Sequence, residues 1–355
     1  MTKKNTAYAV VFLVLGLLVY LQFRTWKNFD WSHLLAYHLR WRHIVHGVAL
    51  IYVAYFLRAV RWKIFLRPVK KDASLWGLLS ATLIGFTGLA LLGRPGELSR
   101  PYLIARRETL SFASQIAVWS VERIFDVGGF TILMVSAIFL PSKLHAFVAD
   151  APESVRHWIH LTGYSLIVLV LGLFLAALTM AYRGNALAAW VEARFHHLAE
   201  NLGHRIAQRI REFTVGLNTI HGPVSFLLIL AVSVLMWWVI ALSYKEVTHA
   251  YGVAALALSA TQVLLLMGGS MVGSMVQLPG VGGGSQLATI SIFDHVFNVV
   301  PKELAVSCGI MIWLVSFVSV VPVGLLLAHR ERLSLRKLSE ESSKEEDTAP
   351  AGLAS

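Results

Sequence analysis

Three ionisable residues lie close together inside an apolar stretch, in the segment VWSVERIFDVGGF at residues 118–130. Glu122 and Asp126 are four residues apart, which places both carboxylates on one face of a helix, and Arg123 flanks that face. If a membrane helix begins near residue 114, Glu122 lies about 12 Å and Asp126 about 18 Å along it, well inside the hydrocarbon. Charges at this depth cost a few kcal/mol or more unless they are paired or hydrated, so they must face the protein interior.

Two other segments offer charged partners for these carboxylates. Arg58 and Arg61 are three residues apart on one face of an earlier apolar helix, about 8–12 Å inside its end. Arg94 and Glu97 flank the Pro-Gly pair of GRPGELSRPY, residues 93–102, after a long run without charge. We expect all seven side chains to meet in one layer, where four arginines face three carboxylates and leave a surplus positive charge.

The composition restricts the class of protein strongly. Hydrophobic residues make up 56% of the 355 residues and charged residues only 14%, which is far from a soluble domain and indicates an all-α polytopic membrane protein. The net charge of +11 comes from basic residues beside apolar runs, which favours membrane helix flanks over nucleic-acid binding. The single cysteine, Cys308, excludes a disulfide framework and a thiolate metal site, and we expect no metal and no other cofactor.

Apolar runs of about 20 residues predict six full transmembrane helices. Two further apolar runs each meet a Pro-Gly pair, and the segment after each pair is too short or too polar to cross. After Gly96, about ten residues precede Arg106, which gives roughly 15 Å of helix, about half the hydrocarbon thickness. We therefore predict two re-entrant hairpins, at 75–110 and 257–297. The six full helices are predicted at 7–23, 43–66, 114–140, 162–182, 224–247 and 303–328.

The order helix, helix, hairpin, helix occurs twice, in a first repeat at 1–140 and a second repeat at 162–328. Each repeat crosses the membrane three times, so the second copy must be inverted relative to the first, as in many transporters. The second repeat also contains a predicted amphipathic cytoplasmic helix at 186–221. A cytoplasmic tail is predicted at 329–355, disordered from about residue 340.

The placement of lysine and arginine predicts that both termini are cytoplasmic. With this orientation, basic residues in the cytoplasmic segments clearly outnumber those on the other side. The cytoplasmic set includes Arg100, Arg106 and Arg107, which follow the first Pro-Gly pair.

The glycines after the second Pro-Gly pair predict a close approach of backbone to a ligand. A half-helix after each pair would begin with unpaired N–H groups and a positive dipole end, which attract anions. The hairpins together predict an anion site near the bilayer midplane, positively charged on the side of the first hairpin. The candidate binding residues are Arg58, Arg61, Arg94, Gly96, Glu97, Glu122, Arg123, Asp126, Gln277, Pro279, Gly280, Gly282, Gly283, Ser285 and Gln286.

The same charges have a second interpretation, in which they only fix how the hairpins dock on the helices. Buried Glu–Arg pairs often serve this purpose without touching a ligand. Ligand contact is favoured for Arg58, Arg61 and Arg94. For the three carboxylates both interpretations stand, since a carboxylate repels an anionic ligand and can instead orient an arginine.

Three motifs together resemble a known family. GRPGELSRPYL, then VERIFD, then LPGVGGGSQ in the second half are similar to the flippase-like family named for the transmembrane region of lysylphosphatidylglycerol synthase, over about residues 7–328. Where the family usually has a glutamate after the second glycine cluster, this chain has Gln286. The motif positions occupied here are Arg94, Gly96, Glu97, Glu122, Arg123, Asp126, Pro279, Gly280 and Gly282.

The resemblance implies a multi-pass protein of a bacterial-type cytoplasmic (inner) membrane. It implies a role in moving or helping to synthesise aminoacylated phospholipid, or in polyprenyl-phosphate or lipid-glycan metabolism. Only a short acidic tail follows Lys337, so we expect no aminoacyl-transferase domain and no synthesis of lysyl-lipid by this chain.

The leading hypothesis is a lipid flippase or lipid transporter that binds an anionic, phosphate-bearing head group, of an anionic phospholipid or a polyprenyl phosphate, between the two hairpins. The alternative is a membrane-embedded enzyme or accessory subunit in lipid-linked glycan or polyprenyl-phosphate metabolism, with Glu122 and Asp126 as an acid–base pair. No nucleophile, metal set or nucleotide-binding loop accompanies that pair. A scaffold whose charges only hold the hairpins is the third hypothesis.

Overall fold

The computed structural model describes residues 39–150, 153–195, 206–208, 211, 222–274, 277–278 and 282–331. The predicted helix at 7–23, most of the predicted surface helix at 186–221, Pro279, Gly280 and the tail beyond residue 331 lie outside this part of the chain. The described helices are α1 Trp41–Leu66, α2 Leu75–Leu92, α3 Arg94–Glu97, α4 Ser99–Glu108, α5 Phe112–Phe139, α6 Lys143–Asp150, α7 Glu153–Phe195, α8 Gly222–His249, α9 Ala260–Gly273, α10 Gly284–His295, α11 Lys302–Trp313 and α12 Val321–Arg330.

The lengths and apolar character of these helices confirm an all-α polytopic membrane protein. Five described helices are long and apolar enough to cross a membrane: α1, α2, Arg156–Leu175 within α7, Val224–His249 within α8, and Lys302–Arg330 from α11 through α12. A sixth span is possible if α5 and α6, which are bent by 57° relative to each other, cross together. The helix α9, with 14 residues, is shorter than a span.

Serine side chains define where three of these helices begin. Ser74, Ser111 and Ser259 precede α2, α5 and α9, and each hydroxyl accepts a hydrogen bond from the backbone N–H three residues further on. At α9 the cap is reciprocal, because Gln262 Oε1 accepts from the Ser259 backbone N–H at 2.9 Å. These caps fix where α2 and α9, the first arms of the two hairpins, begin. They also fix the start of α5, the helix that carries Glu122 and Asp126.

The first hairpin folds back along its own length. The chain leaves α2 at Gly93, whose φ of 71° is readily adopted by glycine. A Cβ atom at Gly96 would lie 2.1 Å from the carbonyl oxygen of Gly88, so the two arms touch backbone to backbone just beside the turn. At the other end, Arg107 of α4 donates a hydrogen bond to the Gly77 carbonyl of α2. Both ends of the hairpin therefore lie at the same end of α2, whereas its depth in a membrane stays a prediction.

The second hairpin has the same close packing but a different turn. A Cβ atom at Gly273 of α9 would lie 2.2 Å from the carbonyl oxygen of Gly284 in α10, and one at Gly269 would lie 2.1 Å from Ile292 Cδ1. Between the arms, strand β1 (Gln277–Leu278) pairs antiparallel with β2 (Gly282–Gly283). A two-residue ladder thus closes the turn that follows α9.

Each hairpin packs on the last long helix of the opposite half of the chain, as defined below by residue range. The hydroxyl of Thr87 in α2 donates to the Val320 carbonyl just before α12 at 3.3 Å. In the same way, Gly268 of α9 packs against Met134 of α5, and α1 packs along α8. We call residues 41–150 the first half and residues 153–331 the second half. The two halves therefore pack through their hairpins and their long helices, and the inverted repeat stays a prediction.

The helix α7 differs from the sequence prediction in extent. The sequence predicted a span at 162–182 and a separate surface helix from 186, but α7 continues without interruption through all 43 residues from Glu153 to Phe195. A single glycine inside a helix, here Gly184, costs only about 1 kcal/mol relative to alanine, so it does not break one. Beyond the helix, Arg211 pairs with Glu192 at 2.6 Å.

Candidate functional site

Four helices bring six of the seven predicted charges into one layer, together with Arg100; the side chain of the seventh, Arg94, lies outside the described structure. This ion-pair cluster contains two arginines from α1, one glutamate from α3, one arginine from α4, and two carboxylates and an arginine from α5. Four guanidinium groups face three carboxylates, so the cluster has a formal surplus of one positive charge. Its members are Arg58, Arg61, Glu97, Arg100, Glu122, Arg123 and Asp126.

Arg61 lies at the centre of the cluster and is fully buried. Its Nη2 donates to Glu122 Oε1 at 2.6 Å, and its Nη1 lies 2.7 Å from Asp126 Oδ1. The same Nη1 donates to the hydroxyl of Ser233 in α8 at 2.8 Å. Arg61 therefore links α1, α5 and α8, and its guanidinium is occupied by protein groups.

Arg100 is the residue of the cluster that the sequence prediction missed. Its guanidinium forks onto Glu122, with Nη1 3.0 Å from Oε2 and Nη2 3.1 Å from Oε1, and it stacks over the Trp62 ring at 4.1 Å. Counting basic residues had assigned Arg100 to the cytoplasm. Its position gave the better signal, because Arg100 lies only three residues after Glu97, in the arm that the hairpin prediction itself places inside the bilayer.

The remaining pairs of the cluster are longer. Arg123 Nη1 is 3.4 Å from Glu97 Oε1, and Arg123 Nη2 is 3.4 Å from Asp126 Oδ2. Arg58 Nη1 lies 3.7 Å from Asp126 Oδ2. Arg58 Nη1 and Asp126 Oδ2 are buried and make no hydrogen bond within the described part of the chain, whereas Asp126 Oδ1 lies 2.7 Å from Arg61 Nη1. These groups retain hydrogen-bonding capacity that the protein leaves unused.

A cavity of about 480 Å³ adjoins the longer pairs. Its charged lining residues are Arg58, Glu97, Arg123 and Asp126, all from the first half. Arg61, Arg100 and Glu122 lie behind this wall and are not among the described residues that line it. The rest of the lining is mainly aliphatic and aromatic, from both halves. The hydroxyl-bearing residues of the lining are Tyr55, Tyr244, Ser270, Ser274 and Ser316.

The wall on the side of the second half includes a π-helical turn, Leu314–Val318, between α11 and α12. Two tyrosines of α1 bind carbonyl groups at this turn: Tyr52 donates to the Ser319 carbonyl at 2.9 Å and Tyr55 to the Ser316 carbonyl at 3.4 Å. Widened turns of this kind are frequent at functional sites because they free backbone groups from the regular helical pattern.

The first-hairpin candidates are distributed in and around the cluster. Glu97 lines the cavity, and Gly96 is buried where the arms touch. Arg94 begins α3, and its side chain lies outside the described part of the structure. The helix α3 has only four residues, and its Gly96 N–H already bonds to the Gly93 carbonyl at 2.9 Å. It therefore lacks the row of unpaired N–H groups and the dipole with which a longer helix would attract an anion.

The second-hairpin candidates do not reach the cavity in the described part of the chain. Gly282 and Gly283 form β2, while Ser285 and Gln286 are buried at the start of α10. Pro279, Gly280 and the side chain of Gln277 lie outside the described residues. On this side the cavity is instead lined by α9, through Met267, Ser270, Met271 and Ser274. No group of three or more His, Cys, Asp or Glu side chains that could hold a metal occurs among the described residues.

The fold and the cluster define a multi-pass membrane protein with an ion-paired layer beside a mostly apolar cavity. The model of one protein family, the lysylphosphatidylglycerol synthase TM region, matches residues 7–324, and the chain belongs to this family. The match confirms the resemblance inferred from the three motifs and is consistent with a lipid-related function. No curated protein and no solved structure matches the chain.

Proposed function

We propose that this protein is a lipid flippase or lipid transporter and that its cavity binds the phosphate of a lipid head group. The observation that carries the proposal is the composition of the cavity wall: arginines and carboxylates on one side, and mostly apolar and aromatic side chains elsewhere. A volume of about 480 Å³ is in the range typical of small-molecule sites. It accommodates a polar head group, while the acyl or isoprenoid chains stay in the bilayer.

The phosphate contacts are assigned to Arg123 and Arg58. Arg123 has the most exposed side chain of the cluster, at 39%, and its contacts are long. Arg58 has a buried Nη1 without a hydrogen-bond acceptor in the described part of the protein. A phosphate oxygen between them would provide charge-assisted hydrogen bonds. Arg61 and Arg100 instead hold the wall in place, because Glu122 occupies both.

Movement of the head group would follow from the two halves. Each hairpin packs on the last long helix of the opposite half, and the cavity receives side chains from both halves. In transporters built this way, one repeat moves against the other around a fixed site. We propose that the two hairpins are re-entrant and that the cavity opens alternately to the two leaflets.

The enzyme hypothesis has less support from the cluster. It requires Glu122 and Asp126 to act as an acid–base pair, and a general acid or base must reach the reacting group. Glu122 is fully buried, both of its oxygens accept from guanidinium groups, and it is not among the described lining residues. In this arrangement Glu122 serves the packing of the helices and not proton transfer to a substrate.

The test is a flipping assay with the purified protein in liposomes. Lipids labelled on the acyl chain are loaded in both leaflets, and a membrane-impermeant reductant measures the fraction that reaches the outer leaflet. Phosphatidylglycerol, phosphatidylethanolamine, phosphatidylcholine and a labelled polyprenyl phosphate are each compared with the same lipid in protein-free vesicles. We expect protein-dependent movement of at least one of them, and Arg123→Gln to slow it tenfold or more.

Arg156→Gln is the matched control, since Arg156 is an exposed arginine of α7 away from the cluster. It should leave movement unchanged. If no lipid moves faster than in protein-free vesicles, or if both variants behave alike, the transport proposal is wrong. Turnover of a lipid-linked sugar in the same vesicles would support the enzyme hypothesis instead.

A further inference from the structure

The charges that line the cavity are balanced, although the whole cluster is not. Two lining residues are positive, Arg58 and Arg123, and two are negative, Glu97 and Asp126. The surplus positive charge of the cluster lies in the layer behind them, where two arginines share the carboxylate of Glu122. A ligand in the cavity therefore meets both signs of charge at close range.

The contacts to Glu122 behind the wall are shorter than the contacts between the charged residues that line the cavity. Behind the wall, the Arg61 and Arg100 contacts to Glu122 are 2.6–3.1 Å and hydrogen-bonded. At the wall, the contacts of Arg123 to Glu97 and Asp126 are both 3.4 Å, and the contact of Arg58 to Asp126 is 3.7 Å. Two contacts join the layers: Arg61 Nη1 lies 2.7 Å from Asp126 Oδ1, and Arg123 Nη2 lies 3.4 Å from Glu122 Oε2. The long pairs at the wall are the ones that a ligand can open while Arg61 still holds Asp126 in place.

A purely anionic head group would use only half of this wall. Its phosphate would attract Arg123 and Arg58, but drawing these guanidiniums away leaves the carboxylates of Glu97 and Asp126 facing an anion in a low-dielectric site. Asp126 Oδ2 already lacks a hydrogen-bond donor within the described structure, whereas Oδ1 lies 2.7 Å from Arg61 Nη1. A donor or positive group on the same ligand would satisfy Oδ2 and the Glu97 carboxylate.

We propose that the cavity is selective for a zwitterionic head group, with one phosphodiester placed against Arg58 and Arg123 and one amine placed against Asp126 and Glu97. This inference rests on the proposed transport function and narrows its substrate class to lipids of net zero head-group charge. The phosphodiester takes the place of the carboxylates beside the arginines, and the amine takes the place of the arginines beside the carboxylates. No unpaired charge is therefore left in the membrane interior.

The test compares three acyl-labelled lipids of similar size in the vesicle assay. Phosphatidylethanolamine carries the phosphodiester and the amine, its N-acetylated form retains the phosphodiester without the positive charge, and phosphatidylglycerol replaces the amine by hydroxyl groups. We expect phosphatidylethanolamine to move at least tenfold faster than the other two. Glu97→Gln should reduce that ratio to about threefold or less, whereas Arg123→Gln should slow all three lipids.

Equal movement of the three lipids would overturn the selectivity and leave the transport function standing. Movement of none of them would overturn both. A ratio that is unchanged in Glu97→Gln would also contradict the assignment of the amine site. Glu97 is one-quarter exposed, so its substitution should not prevent folding. Binding supplies a second measurement: water-soluble glycerophosphoethanolamine should raise the melting temperature of the detergent-solubilised protein, and glycerophosphoglycerol should do so less.

Discussion

Glu122→Gln is the substitution that separates the structural layer of the cluster from its ligand-facing wall. The glutamine has almost the same volume, but it carries no charge and offers one acceptor oxygen where the glutamate offers two. Arg61 binds Oε1 of Glu122 and Arg100 binds both oxygens, so Arg100 would face the amide nitrogen with one of its Nη atoms in either orientation of the glutamine. The expected result is a loss of stability.

The size of that loss follows from what each arginine keeps. Arg61 still contacts Asp126 at 2.7 Å and the Ser233 hydroxyl at 2.8 Å. Arg100 has no other carboxylate partner in the described part of the chain and keeps its aromatic contacts with at most one hydrogen bond to the amide oxygen. Removing one partner of a buried pair costs about 3–5 kcal/mol. Because Arg61 is compensated, we expect the lower end, about 3 kcal/mol, or roughly a hundredfold change in the unfolding equilibrium.

The helix that carries Arg100 also provides the matched control. Arg107 of α4 pairs with Glu331, and this pair is one-fifth to one-third exposed. Exposed pairs contribute at most about 1 kcal/mol, so Glu331→Gln should lower stability by less than Glu122→Gln by a clear margin. Unfolding of the purified protein in mixed detergent micelles, followed by circular dichroism, measures both. Equal losses for the two variants would refute the assignment of Glu122 to a structural layer.

Three further predictions concern the fold. Gly96→Ala should lower the free energy of unfolding by about 1–3 kcal/mol in the same assay, since its Cβ would lie 2.1 Å from a backbone oxygen of α2; an unchanged value would mean that the hairpin arms are not in contact. Tyr52→Phe should cost about 0.5–1.5 kcal/mol through loss of the hydrogen bond to the Ser319 carbonyl, and no loss would show that the π-helical turn does not depend on that bond. In a background without the native cysteine, Asp72→Cys and Arg106→Cys should react with an impermeant thiol reagent from the same side of the membrane, whereas labelling from opposite sides would contradict the hairpin.

The contact between the arginines of α1 and the carboxylates of α5 was predictable because two physical rules act together. Helical periodicity places Glu122 with Asp126, and Arg58 with Arg61, each on one face. The cost of an unpaired charge in hydrocarbon then requires the two faces to meet. Arg100 was not predicted as a member of the cluster because a rule for loops was applied to it. Counting basic residues assigns an arginine to the aqueous side unless its depth in the membrane is considered.

Which residues of the second hairpin face the cavity could not be inferred from local sequence. Glycine runs indicate where backbone can approach another group closely, but they do not say whether that group is a ligand or a neighbouring helix. At Gly273 and Gly284 the neighbour is the other arm of the same hairpin. The continuity of α7 has a different origin: a glycine inside a helix costs only about 1 kcal/mol relative to alanine, so Gly184, between the two predicted helices, does not interrupt it.

The distribution of charge also bears on how the proposed transporter would move. Every charged residue in the described lining belongs to the first half, and the second half contributes apolar side chains, hydroxyl groups and the π-helical turn. Moving the charged wall through the bilayer would expose guanidinium and carboxylate groups to lipid at a cost of several kcal/mol. Sliding the neutral wall past a fixed charged wall avoids that cost. On the proposed mechanism, the head group therefore stays on α1 and α5 while α8, α9 and the π-helical turn change position around it.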